Sequence, residues 1–229
     1  MNIPLSLKNL TKFERGLWCA SVLIVLIAAL CGGAENLVTG IASVIGVTAL
    51  IFVAKGDVLG QILTVVFSLF YASISFTYQY YGEMITYLCM TAPIAVLAVI
   101  SWLRHPFEKG KPEVKVNHLK IRELLLMFVA AGAVTALFYW ILAAFQTANL
   151  PISTISVTTS FIASYLTFRR SPYYALGYAA NDIILIVLWV LAAQAEIRYL
   201  SMVFCFVSFF VNDLYGFVNW RRMKKRQSA

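Results

Sequence analysis

The run RRSPYYALGYAANDIILIVLW, residues 169–189, opens on two arginines, then stays apolar over a length suited to a bilayer, and still places Asn181 and Asp182 near its middle. A carboxylate at the centre of a spanning helix costs on the order of 3 kcal/mol on insertion scales. An alanine would pack there without that cost. Asn181 and Asp182 are therefore expected to face a protein-lined pathway rather than lipid. Tyr174 and Tyr178, one and two turns before them, share their helical face.

The rest of the chain fits that reading. Of its 229 residues 61% are apolar and 12% charged, against about 25% charged in an average soluble domain, so the chain is read as an integral membrane protein. A net charge of +8 would point a soluble protein towards nucleic acid; here the bilayer is the expected partner, and no nucleic acid is. The cysteines (Cys19, Cys31, Cys89, Cys205) lie in apolar segments without short pair spacing, which predicts neither disulfides nor a metal site. Both histidines, His105 and His118, lie in one polar loop. No cofactor is expected. The N-terminal apolar run is longer than a usual signal core and reads as an uncleaved first helix.

Spans of about 17–25 apolar residues fit eight segments: 17–34, 38–54, 59–79, 84–103, 124–145, 150–168, 172–193 and 199–219. With both termini cytoplasmic, seventeen of the eighteen Lys and Arg residues fall inside and Arg198 alone outside, as the positive-inside rule demands. Residues 38–104 and 150–222 each hold three spans. Each triplet has a Ser-Val pair in its first helix (Ser43-Val44, Ser156-Val157) and a basic break after it (Lys55; Arg169, Arg170). Each ends in Trp-x-Arg, at Trp102 to Arg104 and Trp220 to Arg222. The expected fold is thus all-α: eight transmembrane helices, a 3+1+3 core of parallel triple-helix repeats, and one N-terminal helix outside it. Such a plan holds substrate between the repeats near the midplane. Residues 1–34 form the cytoplasmic N-terminus and first helix, 105–145 the basic loop and linker helix, and 223–229 a basic tail.

Four spans carry polar stripes at helical spacing, which must face protein or a water-filled cavity. They run through Gln61, Thr64, Ser68, Tyr71, Ser75 and Tyr78; through Ser153, Ser156, Ser160, Ser164 and Thr167; through Tyr174, Tyr178, Asn181, Asp182 and Trp189; and through Ser201, Cys205, Ser208, Asn212, Tyr215 and Asn219. Helix packing by small residues competes with a pathway for the serine stripe. Gln61 is expected to be solvated near the cytoplasmic boundary, and Asp213 either bonds to that boundary or joins the pathway. Tyr78, Tyr80 and Tyr81 read as an interfacial belt, and Trp18, Trp102 and Trp220 as interface anchors. The expected substrate contacts are Tyr71, Ser75, Ser160, Ser164, Tyr174, Tyr178, Asn181, Asp182, Trp189 and Asn212. Aromatic faces beside amides, hydroxyls and a carboxylate suit an uncharged or singly cationic ring carrying a sugar-like part. No phosphate-binding loop of Walker type is present, so ATP hydrolysis is not expected, and no catalytic constellation of nucleophile and base is found.

The segments FVAKG (52–56), YASISF and YYGE (71–83), TTSFIASYLTFRR (158–170), Asn181 and NDLYGFVNW (212–220) resemble the PnuC family of bacterial vitamin-precursor transporters over roughly residues 34–222. The resemblance implies a core related to the sugar-transporting SWEETs, facilitated diffusion of nicotinamide riboside across the inner membrane with trapping by intracellular phosphorylation, and a homotrimer. Nicotinamide riboside members carry Trp-x-x-Trp and then, four residues on, Asn; here those positions read Tyr174, Gly177 and Asn181. Where members have Asn after YYGE and Gln after the proline, this chain has Tyr87 and Ala95. Carriage of thiamine, riboflavin or a deoxynucleoside, and proton coupling through Asp182, are the alternatives. A binding subunit served by a separate ATPase, a retinal photoreceptor and a membrane enzyme fit less well.

Overall fold

The computed structural model describes residues 10–31, 37–77, 80–108 and 110–228. Lys8, the 32–36 break, Tyr78 and Lys109 lie outside the described residues. The helices are α1 (Lys12–Cys31), α2 (Leu37–Ala54), α3 (Val58–Thr77), α4 (Tyr81–Arg104), α5 (Ile121–Ala144), α6 (Leu150–Phe168), α7 (Tyr174–Ala195) and α8 (Leu200–Gln227). Among the described residues there is no strand longer than an isolated bridge, and six helices are long and apolar enough to cross a membrane. The exceptions are α2, which is shorter, and α6, diluted by its serines and threonines.

Local chemistry sets the ends. Thr11 and Glu14 close a capping box before α1: the Thr11 N–H donates to Glu14 Oε2 at 2.6 Å and the Glu14 N–H to Thr11 Oγ1 at 3.2 Å, satisfying two donors that a helix start leaves over. Pro151 stands in the first turn of α6, where its missing N–H costs nothing. The arginine pair ends α6 with Arg170 at φ 56°, and α7 begins at Tyr174 rather than at Pro172. The basic tail is not separate: α8 continues through it to Gln227. Gln227 there accepts the Val116 N–H at 2.7 Å and donates to Val114 O at 3.1 Å.

The ends of α2, α4, α6 and α8 meet at one face of the bundle. Arg170 donates to Ser101 Oγ at 2.7 Å and to Lys115 O at 3.2 Å. Arg169 pairs with Glu123, and Val114 of the connecting loop donates its N–H to Gly56 O at 2.9 Å. The apolar positions Leu125, Leu126, Phe128, Val129, Leu137 and Trp140 of α5 are exposed. The first helix is docked against α2 and α8. Trp18 donates to Thr48 Oγ1 at 3.0 Å, Asn212 to Ser21 Oγ at 2.8 Å, and Tyr215 to Glu14 Oε1 at 2.8 Å.

Trp102 and Trp220 are not interface anchors: both are fully buried. They touch at a ring separation of 5.5 Å. Trp102 donates to Thr167 O at 3.0 Å and its neighbour Ser101 to Phe168 O at 3.1 Å. Trp220 donates to Val53 O at 2.8 Å and its neighbour Asn219 to Ala54 O at 2.8 Å. Each closing helix thus ties the end of the other triplet's first helix. The sequence places these rings near a helix end, where an interface belt would stand, and does not show that the helix ends converge.

Tyr80 also departs from the expected belt. It is buried at the opposite end of the bundle, 4.9 Å from Trp189 and 6.4 Å from Tyr199 between ring centres. Trp189 donates to Tyr71 OH at 3.0 Å, and Tyr71 packs on Tyr87 at 4.2 Å and Phe206 at 5.7 Å. One aromatic cluster therefore lies towards each end.

Candidate functional site

Between these clusters lies a cavity of about 50 Å³, room for one or two water molecules. From α2 come Gly46, Ala49, Leu50 and Val53, and from α3 Gln61, Thr64 and Phe67. Helix α4 adds Tyr87 and Thr91, α7 adds Tyr178, Asn181 and Asp182, and α8 adds Phe206, Phe209 and Asp213. Helix α4 widens to a π turn over Tyr87–Thr91, just ahead of Pro93. The Ala92 N–H there reaches Tyr87 O, five residues back. A π turn re-aims side chains within a helix, and such turns recur at functional sites; here both of its end residues line the cavity. Gly46 makes room for the Phe209 ring: a Cβ on it would stand 2.2 Å from that ring.

Asn181 is set by α6. Its Oδ1 accepts Thr159 Oγ1 at 2.8 Å and Ser156 Oγ at 3.4 Å, and Ser156 also reaches Glu83 Oε1 at 3.4 Å. With its oxygen engaged on α6, Asn181 also lines the cavity. Tyr178 OH and Ser164 Oγ share a hydrogen bond at 3.1 Å. Asp182 and Asp213 adjoin one another closely enough to share a hydrogen bond. Asp182 Oδ2 and Thr91 Oγ1 are buried without a partner. Among the described residues, the lining holds no Lys, Arg or His. The arrangement can take a flat ring between Phe and Tyr faces, donate from Asn181 and accept at two carboxyls.

Of the expected contacts, Tyr178, Asn181 and Asp182 come together on the cavity wall. Tyr71 and Trp189 form the aromatic closure at one end, and Ser75, buried with its hydroxyl unpartnered, lies one turn beyond Tyr71. Tyr174 packs edge-on against Trp220 at 5.0 Å, at the basic end. Ser160 and Ser164 are buried on α6. Asn212 is placed apart: it bonds Ser21 and Ser208 O, away from the cavity. The stripe that carries it on α8 is largely the seam for α1.

Other lining residues were not among the expected contacts. Gln61 is not solvated but buried on the cavity wall, and Asp213 faces Asp182. A repeated Asn-Asp dipeptide, at 181–182 and 212–213, was the available signal for Asp213. Phe67, Phe206, Phe209 and Gly46 gave none, since an apolar residue in a spanning helix looks the same facing lipid or ligand. Glu83, buried in the first turn of α4, was hidden in a segment read as a break. A wider open cleft of about 710 Å³ runs between α1 and α8, but its carboxylates are already held, Glu14 by Lys55 at 3.0 Å and by Tyr215, and Glu113 by Arg226 and Gln227.

The chain matches the family model described as nicotinamide mononucleotide transporter over residues 36–222. It is 27% identical to the nicotinamide riboside transporter PnuC of Neisseria mucosa over 226 residues, 96% of this chain and 84% of that protein. It is 22% identical to the PnuC transporter of Haemophilus influenzae over 210 residues, 91% of this chain and 90% of that one. A crystal structure of the vitamin B3 transporter PnuC shares the fold, with a TM-score of 0.83 at 24% identity, covering 96% of this chain and 94% of the other. The chain therefore belongs to the PnuC (nicotinamide mononucleotide transporter) family and is a multi-pass inner-membrane transporter, not an enzyme.

Proposed function

We propose that the protein is a facilitative importer of a nicotinamide-riboside-like vitamin precursor, working by alternating access without ATP hydrolysis. The observation that carries this reading is the cavity between the two triplets, where aromatic faces meet the Asn181 amide and two carboxyls, with no basic residue among the described residues of its lining. A positively charged pyridinium on a ribose suits those groups, and a phosphorylated ligand is repelled by them. The volume of about 50 Å³ is well below the roughly 300 Å³ or more of ordinary ligand pockets. On this reading the described state is occluded and contracted, and substrate entry turns the rings of Phe67, Phe206 and Phe209. The reciprocal bonds of Trp102 and Trp220 support the parallel-repeat, SWEET-like reading of the core. The one-sided distribution of Lys and Arg supports cytoplasmic termini, and the exposed apolar face of α5 leaves room for a homotrimer in the bilayer.

One observation favours a second cargo. Gly177, where nicotinamide riboside members carry a tryptophan, lies against α6, and a Cβ there would stand 2.9 Å from Ala163 Cα. A tryptophan has no room at that contact, so this chain departs from those members where their second tryptophan stands. Thiamine, likewise a cationic ring, meets the same acidic and aromatic wall. Uptake into proteoliposomes containing the purified protein, with nicotinamide riboside, thiamine, riboflavin and deoxynucleosides compared, decides between them. Uptake of nicotinamide riboside without ATP is expected; selective uptake of riboflavin or a deoxynucleoside overturns the cargo assignment.

A further inference from the structure

The two Asn-Asp dipeptides of α7 and α8 bring Asp182 and Asp213 side by side on the cavity wall, each only 3% exposed. Their carboxyls are within hydrogen-bonding reach of one another. A carboxylate offers only acceptors, so two carboxyls bond each other only with a proton between them. Asp182 Oδ2 remains buried and unpartnered. The titratable groups turned towards the pair are Tyr87 from α4, Tyr174 and Tyr178 from α7, and Cys205 on α8. Helices α2 and α3 present only Gly46, Ala49, Leu50, Val53, Gln61, Thr64 and Phe67. Glu83 lies beyond Asn181, across Ser156. Among the described residues, no Lys, Arg or His lines the cavity to neutralise two bare carboxylates.

We propose that Asp182 and Asp213 form a one-proton site from which a cationic substrate ring expels the proton. The step balances: the singly protonated pair has a charge of minus one. Departure of the proton to water leaves minus two, and the entering monocation restores minus one. The wall thus carries the same net charge with a proton or with substrate, and the doubly ionised pair is never left bare in a low-dielectric cavity. The Phe67, Tyr87 and Phe206 faces add to the preference for a cation. The site discriminates by charge: a neutral ring of the same outline gains nothing from displacing the proton. This inference rests on the reading of the cavity as the substrate site and adds Asp213 as a specificity-determining residue.

The test is isothermal titration calorimetry on the full-length purified protein in buffers of different ionisation enthalpy, with nicotinamide riboside, thiamine and the neutral dihydronicotinamide riboside as ligands. Release of about one proton per bound cation is expected. Affinity should rise with pH, by about tenfold per unit at most, over the range in which the pair holds its proton. The neutral ring should release none. Asp213→Asn should abolish the release and flatten the pH profile. The wild-type proton count stands whether or not that variant folds. Binding of either cation without proton release overturns the proposal, as does equal release by the neutral ring. If thiamine binds with proton release and nicotinamide riboside does not bind, the carboxyl pair stands and the cargo assignment falls. If neither cation binds, both fall.

Discussion

At the basic end of the bundle the two triplets hold each other by the same bonds exchanged: Ser101 and Trp102 reach Phe168 and Thr167, while Asn219 and Trp220 reach Ala54 and Val53. In the cavity nothing is exchanged. Three of the four acidic and amide groups on the wall, Asn181, Asp182 and Asp213, including both carboxyls, come from the second triplet, while the fourth, Gln61, stands on the first with Thr64 and α2. Helix α2 lines the cavity, but α6, its counterpart, stands behind Asn181 and positions it through Thr159 and Ser156. The difference has a physical reason. On the proposed alternating-access reading, two bodies that rock about one axis need matched fastenings, because either one breaks when the end opens. A ligand with a ring at one end and a sugar at the other has no such symmetry, and its wall has to be unlike on its two sides.

The largest expected effect tests the matched side. Trp102→Ala and Trp220→Ala each remove a fully buried indole and its backbone bond, and each should cost about 3–5 kcal/mol of stability. The two losses should be similar. Because the rings touch, the double variant should lose less than the two single losses combined. Thermal unfolding in detergent measures all three. A variant that unfolds like wild type while its counterpart is crippled would break the equivalence of the two fastenings.

The unlike side is tested by Asn181→Ala. It removes the amide of a residue on the cavity wall and should weaken binding of the true ligand about tenfold, roughly one buried hydrogen bond to a polar group, with a much smaller loss of thermal stability than either tryptophan variant. Equilibrium binding of the ligand that the purified protein takes up reads it out, and unchanged affinity removes Asn181 from the pocket.

How much of this was legible follows from what each signal measures. Hydropathy and the charge pattern report burial in lipid and the side of each loop, and the helices fall close to the expected spans. The tryptophans of the two Trp-x-Arg motifs were visible as a repeat, but their role was not, because a bond to Thr167 O or Val53 O depends on helix ends far apart in the chain. Asn181 and Asp182 stood out because a polar group in an apolar run is costly. Gln61 and Asp213 obey the same rule and were discounted for lying near a boundary. In the structure that boundary is covered by Val114 and the loop, so their depth from the helix end understates their burial. The α8 stripe misled for the opposite reason: a polar stripe identifies a face turned to protein, and that protein was α1.

The smallest expected effect separates two asparagines that the sequence treats alike. Asn181 and Asn212 each precede an aspartate, on neighbouring helices, and both are buried. Asn212 spends its amide donors on Ser21 of α1 and on Ser208 O at 2.8 Å each, so it fastens a helix outside the two triplets. Asn212→Ala should lower stability by about 1 kcal/mol, the ordinary net worth of a hydrogen bond, and leave ligand affinity unchanged. Measured beside Asn181→Ala, it yields a crossed pattern: one variant loses mainly affinity, the other only stability. A fall in affinity for Asn212→Ala equal to that for Asn181→Ala would mean that the docking of α1 is coupled to the cavity. The first helix would then belong to the moving machinery rather than to its surroundings.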